Sequence, residues 1–281
     1  MFMMAAMQVN AQEESTLKIT PTGRVLLDGG WFTSDNGDFH NGVALPDARV
    51  GVKASYGKYK AKLDIGYSYG KISLKDIFTE RSFNKNMLLR VGNFVHQFGL
   101  QSATSSSMKP TMEEPTSNEA FFNSRLLGAM FVYDKDAFFG TASVHAESEA
   151  LKKKSNELGS MGYGFMSRLV YRPLRGDNRT LFQVGISGAY ESPRYNSKPE
   201  LNHSSFDLGA NFPTRIASVK ALNAVVDNAK HLAKFTPELV VGYGPIALES
   251  QYYYVKVKRD NGFHNYHASG AYGIIRGLLI G

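Results

Sequence analysis

The sequence has no cysteine in its 281 residues, which excludes disulfides and thiolate metal centres. It has no window of about 18 consecutive apolar residues either, and so no helix able to span a membrane. No glycine-rich phosphate loop runs into a helical pattern, and no nucleic-acid-binding module is present. Negative charge is the scarcer sign: 25 Asp and Glu stand against 32 Lys and Arg, a formal net charge of +7. A chain of that balance favours anionic partners such as solutes or lipid phosphates.

Aromatic residues and glycine are abundant, with 15 Tyr, 18 Phe and 27 Gly. Between Arg49 and Phe98 they fall into strict alternation. Val50, Val52, Ala54 and Tyr56 share one face, and Arg49, Gly51, Lys53 and Ser55 the other. After a turn at Gly57-Lys58, the series Tyr59, Ala61, Leu63, Ile65, Tyr67 and Tyr69 opposes Lys60, Lys62, Asp64, Gly66 and Ser68. Period-2 alternation is the mark of β-strands with unlike faces. A soluble sandwich turns the apolar face inward, whereas a transmembrane barrel turns it outward to lipid and encloses the polar one.

The rest of the chain favours the barrel. About thirteen candidate strands lie near residues 17–33, 47–56, 59–70, 73–83, 86–96, 122–134, 137–149, 162–172, 180–191, 203–212, 229–243, 246–259 and 265–281. Their length of about ten residues suits tilted membrane strands. Short turns at Tyr56-Gly57-Lys58, Asp134-Lys135-Asp136 and Gly244-Pro245 contrast with long polar loops, among them 100–119 and 150–161. Tyr56, Tyr133, Tyr171 and Tyr243 each close a strand before a tight connection, as a girdle at one membrane interface requires. Residues 215–234 are expected to form a loop with a helical turn or a small extra strand.

The N-terminus reads as export machinery. An apolar run, Met1 to Met7, meets the small-x-small site Val9-Asn10-Ala11, followed by acidic Glu13-Glu14. Residues 1–11 are therefore expected to be a signal-peptide remnant and 12–281 the barrel domain, located in a bacterial outer membrane.

Strand parity assigns the interior face. It carries Arg49, Lys53, Lys60, Lys62, Arg90, Arg168 and Arg172, with Asp64, Glu147, Glu238 and Glu249. Thr141, Ser143, His145, Gln183 and Ser187 share that face. The cations cluster in the early strands, so one wall is expected to be positive, an arrangement that eases the entry of anions.

Several runs resemble one family. They are SLKDIFTERSF with MLLRVGNFVHQFGLQSATSSS, then EAFFNSRLLGAMFVY, then ELVVGYGPIALESQYYYVKV. Together they are similar to the phosphate-selective porin O and P family. The resemblance implies an antiparallel up-and-down transmembrane β-barrel of about sixteen strands, usually a homotrimer, with a basic lumen and an infolded constriction loop. It places that loop at 100–119, with Arg90, Lys109 and Arg125 beside it. With about thirteen strands present, the domain is expected to be C-terminally incomplete, with open edges at 16–33 and 267–281. Gln97 stands where the family commonly has proline and Gln101 where it commonly has an acid, which points to a general anion preference.

The expected site is thus a set of pore-lining, anion-attracting residues: Arg49, Lys53, Lys60, Lys62, Arg90, Lys109, Arg125 and Arg168. No catalytic residue, metal site or cofactor is expected. The Gly66-Tyr67-Ser68-Tyr69-Gly70 match to a hydrolase elbow lacks the strand-to-helix context that chemistry needs. His264 and His267 have no third ligand nearby. Expected partners are small anionic solutes, outer-membrane lipid and lipopolysaccharide, and no nucleic acid. A surface-binding barrel and a barrel hydrolase are the alternatives.

Overall fold

The computed structural model describes residues 16–33, 37, 39–105, 108, 109, 111, 113–122, 124–147, 151, 161–175, 179–193, 204–214, 216 and 219–277. The expected signal remnant at 1–11 and the basic run Lys152–Lys154 lie outside the described residues.

Twelve strands form one antiparallel sheet. They are β1 (Lys18–Gly30), β2 (Gly42–Tyr56), β3 (Tyr59–Ser68), β4 (Lys71–Asn84), β5 (Met87–Val95), β6 (Arg125–Lys135), β7 (Phe138–Ala146), β8 (Tyr163–Arg175), β9 (Thr180–Glu191), β14 (Ala229–Tyr243), β15 (Ile246–Arg259) and β16 (Tyr266–Gly277). Every neighbour is the next strand of this series, so the sheet is an up-and-down meander. Two short helices, α1 (Gly99–Ala103) and α2 (Thr116–Phe121), lie between β5 and β6. Between β9 and β14 stand four short strands, β10 (Ser205–Asp207), β11 (Ala210–Asn211), β12 (Lys220–Leu222) and β13 (Val225–Asp227). They pair only among themselves, β10 with β13 and β11 with β12. The sheet is open, since β1 and β16 form its two ends.

The turns explain the register. Tyr56 pairs with Tyr59 across Gly57, and Tyr243 with Ile246 across Gly244; both glycines have positive φ. At the opposite end Tyr69 and Gly70 both take positive φ (49° and 81°), as a type I′ hairpin demands. All the other connections at that end are long, including the one that contains α1 and α2. Tyr56, Tyr171 and Tyr243 stand exposed at the short-turn end.

Alternation holds on the outer face. Val50, Leu63, Ile65, Val91, Val144, Phe165, Leu169 and Ile186 are large, apolar and exposed. Apolar patches that extensive are interaction surfaces, and an apolar outer face on strands of this length is what a transmembrane barrel would turn to lipid. Among the described residues no helix is long and apolar enough to cross a membrane.

Two expectations need correction. Residues 203–212 alternate like a strand, yet β10 and β11 stay outside the main sheet, because Phe206, Leu208 and Ala210 turn inward against the core. The interior is also not uniformly wet. Phe98, Phe121, Tyr253, Val255, Val257, Leu232 and Met166 form a dry cluster on the inner face of the C-terminal strands. The physical reason is that the segment between β5 and β6 folds inward and needs an apolar bed, which Tyr253, Val255 and Val257 supply.

Candidate permeation site

The infolded segment divides the interior. On one side it is bonded to the later strands. Gly99 N donates to Ser187 Oγ at 2.9 Å, and Gln101 Nε2 to Glu249 Oε1 at 2.6 Å. Tyr253 donates its hydroxyl to Asn118 Oδ1 at 2.8 Å and stacks on Phe121, with centroids 5.5 Å apart. On the other side a cavity of about 760 Å³ separates the segment from β1–β4. The sheet therefore curls around the segment.

The cavity wall is charged. It is lined by Arg24, Arg49, Lys53, Lys62, Lys75, Lys109 and Arg125, and by Asp47, Asp64, Asp76, Glu113 and Glu114. Most of these groups are coupled. Asp47 accepts from Arg24 Nε at 2.8 Å and from Arg49 Nε at 2.7 Å. Asp76 accepts from Lys62 Nζ at 2.8 Å and from Arg125 Nε at 2.6 Å. Lys62 also reaches Asp64 at 2.5 Å, and Lys109 pairs with Glu114. Lys53 and Lys75 differ: among the described residues neither has a carboxylate within 4.0 Å. Seven cations against five carboxylates leave the cavity positive, and among the described residues the two of its cations without a carboxylate partner are lysines.

Local backbone explains the arrangement. Lys53 on β2 lies directly opposite Lys62 on β3, and Gly51 opposite Asp64. A β-carbon on Gly51 would overlap the Asp64 carboxylate, so glycine there lets the acid lie across β2. Where β3 meets β4 the register shifts between Leu63 and Ile65. Asp64 then faces both Lys75 and Asp76, a two-against-one bulge that turns consecutive side chains toward one cavity.

A second cavity, of about 900 Å³, lies behind the first. The two share Lys75, Phe122, Ser124 and Arg125 as lining residues, so these form the threshold between them. Glu119, Glu147, Glu191, Asp207 and Lys220 line the second cavity, which is the more acidic chamber. Beside it Glu119 accepts from Asn211 N at 3.1 Å and Nδ2 at 2.9 Å, tying α2 to β11. Burial holds the Glu119 carboxyl above the usual carboxylate range.

Of the residues expected from sequence, Arg49, Lys53, Lys62, Lys109 and Arg125 come together in the first cavity. Lys60, Arg90 and Arg168 do not. Lys60 is exposed opposite Glu80. Arg90 donates to Glu80 at 2.7 Å and lies over the Phe78 ring, 4.3 Å from its centroid. Arg168 is buried and makes a two-pronged contact with Glu238, at 3.0 and 2.6 Å, with Gln97 accepting a third bond at 3.1 Å. It is an interior strut. Arg24, Lys75 and Asp76 escaped the sequence reading. Alternation along β1 places Arg24 with Lys18, Thr20 and Thr22, but the bulge hides Lys75 from parity.

Among the described residues no group of three or more His, Asp or Glu is placed to hold a metal ion. No curated protein matches the chain. The model of the family described as phosphate-selective porin O and P matches residues 24–276. That span runs from β1 to β16 and includes both walls of the charged cavity. A porin family is one of outer-membrane barrel channels rather than of enzymes. With an antiparallel meander, an apolar outer face and an infolded segment beside a basic wall, the chain belongs to the phosphate-selective porin O and P family.

Proposed function

We propose that this protein is an outer-membrane pore through which small, preferentially anionic solutes diffuse passively, and that the space between segment 96–124 and β1–β4 is its narrowest part. The single observation that carries the reading is the charge of that space. Carboxylates neutralise most of its cations in place, while Lys53 and Lys75 keep an open field toward the cavity. Paired arginines shape the wall, and the lysines provide a shallow attraction that a passing anion can leave again. Phosphate and small organic acids fit the chemistry, and the mixed wall argues for a general anion preference. By resemblance the working unit is a homotrimer set in lipid and lipopolysaccharide. Nothing in the mechanism calls for a cofactor.

The test is a reversal-potential measurement in planar bilayers under a salt gradient. Anions should be favoured, and the double variant Lys53→Gln, Lys75→Gln should lower the anion-to-cation ratio about three- to tenfold, since two unit charges at such range contribute about 1 kcal/mol. A cation-preferring or non-conducting parent would overturn the reading.

A further inference from the structure

The infolded segment is fastened at both ends by one side chain. Lys234 lies on the inner face of β14 and is 5% exposed. Its ammonium donates to the main-chain carbonyl of Phe121 at 2.8 Å, pairs with Glu191 Oε1 at 2.9 Å, and stands 4.8 Å from the centroid of the Phe98 ring. Phe98 and Phe121 are the residues where the segment leaves and regains the wall, and both are buried. A charge this deep needs all of its partners. If the segment swung away, the ammonium would lose the carbonyl and the ring together. Release of the segment would therefore leave the buried ammonium with Glu191 alone, which favours the seated position.

Other contacts follow the same logic. Gly99 has φ +78°, and a β-carbon there would overlap Gln251 Nε2, so the backbone of α1 lies flush on β15. Gly270 of β16 leaves room for Ser117 and Phe121 of α2. Neither Lys234 nor Phe98 nor Phe121 lines the charged cavity. The fastening is on the far side of the segment from the passage.

We propose that Lys234 is a positioning residue that locks the segment to β14, so that the passage has one fixed width instead of a moving wall. This rests on the reading of the cavity as the permeation path. Replacing the lysine should loosen the wall without changing what the wall attracts.

The experiment uses the full chain and the variants Lys234→Met, Lys234→Arg and Tyr253→Phe. Each is recorded as single channels and examined by amide hydrogen exchange in detergent micelles. In Lys234→Met, partial closures should become about tenfold more frequent, with the reversal potential at the parental value. Amides of α1 and α2 should exchange about tenfold faster while those of the strands keep their protection. Lys234→Arg, which keeps the charge, should return both readouts to within about threefold of the parent. Tyr253→Phe loses only the bond to Asn118 and should show the same effect at about two- to threefold. Parental exchange and traces in Lys234→Met would overturn the proposal, and so would faster exchange spread evenly through the strands. If Lys234→Met does not fold, Lys234→Gln takes its place, and parental exchange of α1 and α2 in that variant overturns the proposal. If the parent does not conduct, the exchange data still decide the lock, and only the permeation reading is lost.

Discussion

The aliphatic stem of Lys75 lies flat across Gly66 of the neighbouring strand. A β-carbon on Gly66 would overlap Lys75 Cε and sit 2.9 Å from its Cγ. Gly66 thus makes the groove that carries the lysine to the threshold between the two cavities. Its φ is not positive, so a larger residue there moves a flexible side chain rather than the backbone. Gly66→Val should fold normally, as read by the compact electrophoretic band of unheated protein. Its anion-to-cation ratio should drop about as far as that of Lys75→Gln, by two- to threefold. An unchanged reversal potential in Gly66→Val would show that the groove does not position the lysine.

Asp76 restrains the opposite charge. It holds Lys62 and Arg125 together at the passage, so Asp76→Asn removes one negative charge and takes from Arg125 its carboxylate partner, while Lys62 keeps Asp64. The anion preference should rise about two- to fivefold at 0.1 M salt, where the screening length is about 10 Å, and the gain should fade at 1 M, where it is about 3 Å. The reversal potential measured at both concentrations checks the direction and the fading together.

The pair Arg168–Glu238 serves stability instead. Its side chains are 6% and 0% exposed, Gln183 adds a bond to Glu238 at 2.9 Å, and Gly185 leaves the space that the Glu238 side chain fills. Removing one partner leaves an uncompensated buried charge. Arg168→Met should lower the unfolding free energy by about 3–5 kcal/mol in urea titrations, with ion selectivity unchanged. A shift in selectivity would mean that Arg168 reaches the passage after all.

Gly99 cannot be replaced without moving the segment. Both its left-handed backbone and its contact with Gln251 and Thr236 exclude a side chain. Gly99→Ala should cost about 1–3 kcal/mol and lower the single-channel conductance, because a side chain against Gln251 and Thr236 can only push the segment toward the passage. Parental conductance in Gly99→Ala would mean that the segment does not bound the passage.

Much of this molecule is legible in its alternation. Strands β9, β14 and β15 match the expected segments residue for residue, because their inward and outward faces differ so strongly that only one register is available. The same rule finds Arg49, Lys53 and Lys62. It misses Lys75 and Asp76 because parity is a counting rule, and the bulge between Leu63 and Ile65 inserts a residue into the count. It places Arg168 on the correct face, yet that face is covered by Gln97 and the segment behind it. Burial of that kind is a long-range property, set by contacts between residues 71 positions apart in the chain. The family resemblance supplies the infolded segment, and geometry then explains the glycines in it and in the strand that leads to it. Gly92 has φ +140° and its β-carbon would overlap Ile77 O, while Gly99 presses on Gln251.

The bonds that seat the segment also set an order of events. Gln101 is joined to Glu249 across 148 positions and to Gln251 across 150. Every ribosome and every translocation pore delivers Gln101 long before either partner. Until β14 and β15 arrive, Phe98 and Phe121 have no bed, and contacts so distant in sequence are slow to form. The passage is thus the last part of the molecule to take shape, and an arrested or half-assembled chain has a sheet before it has an aperture.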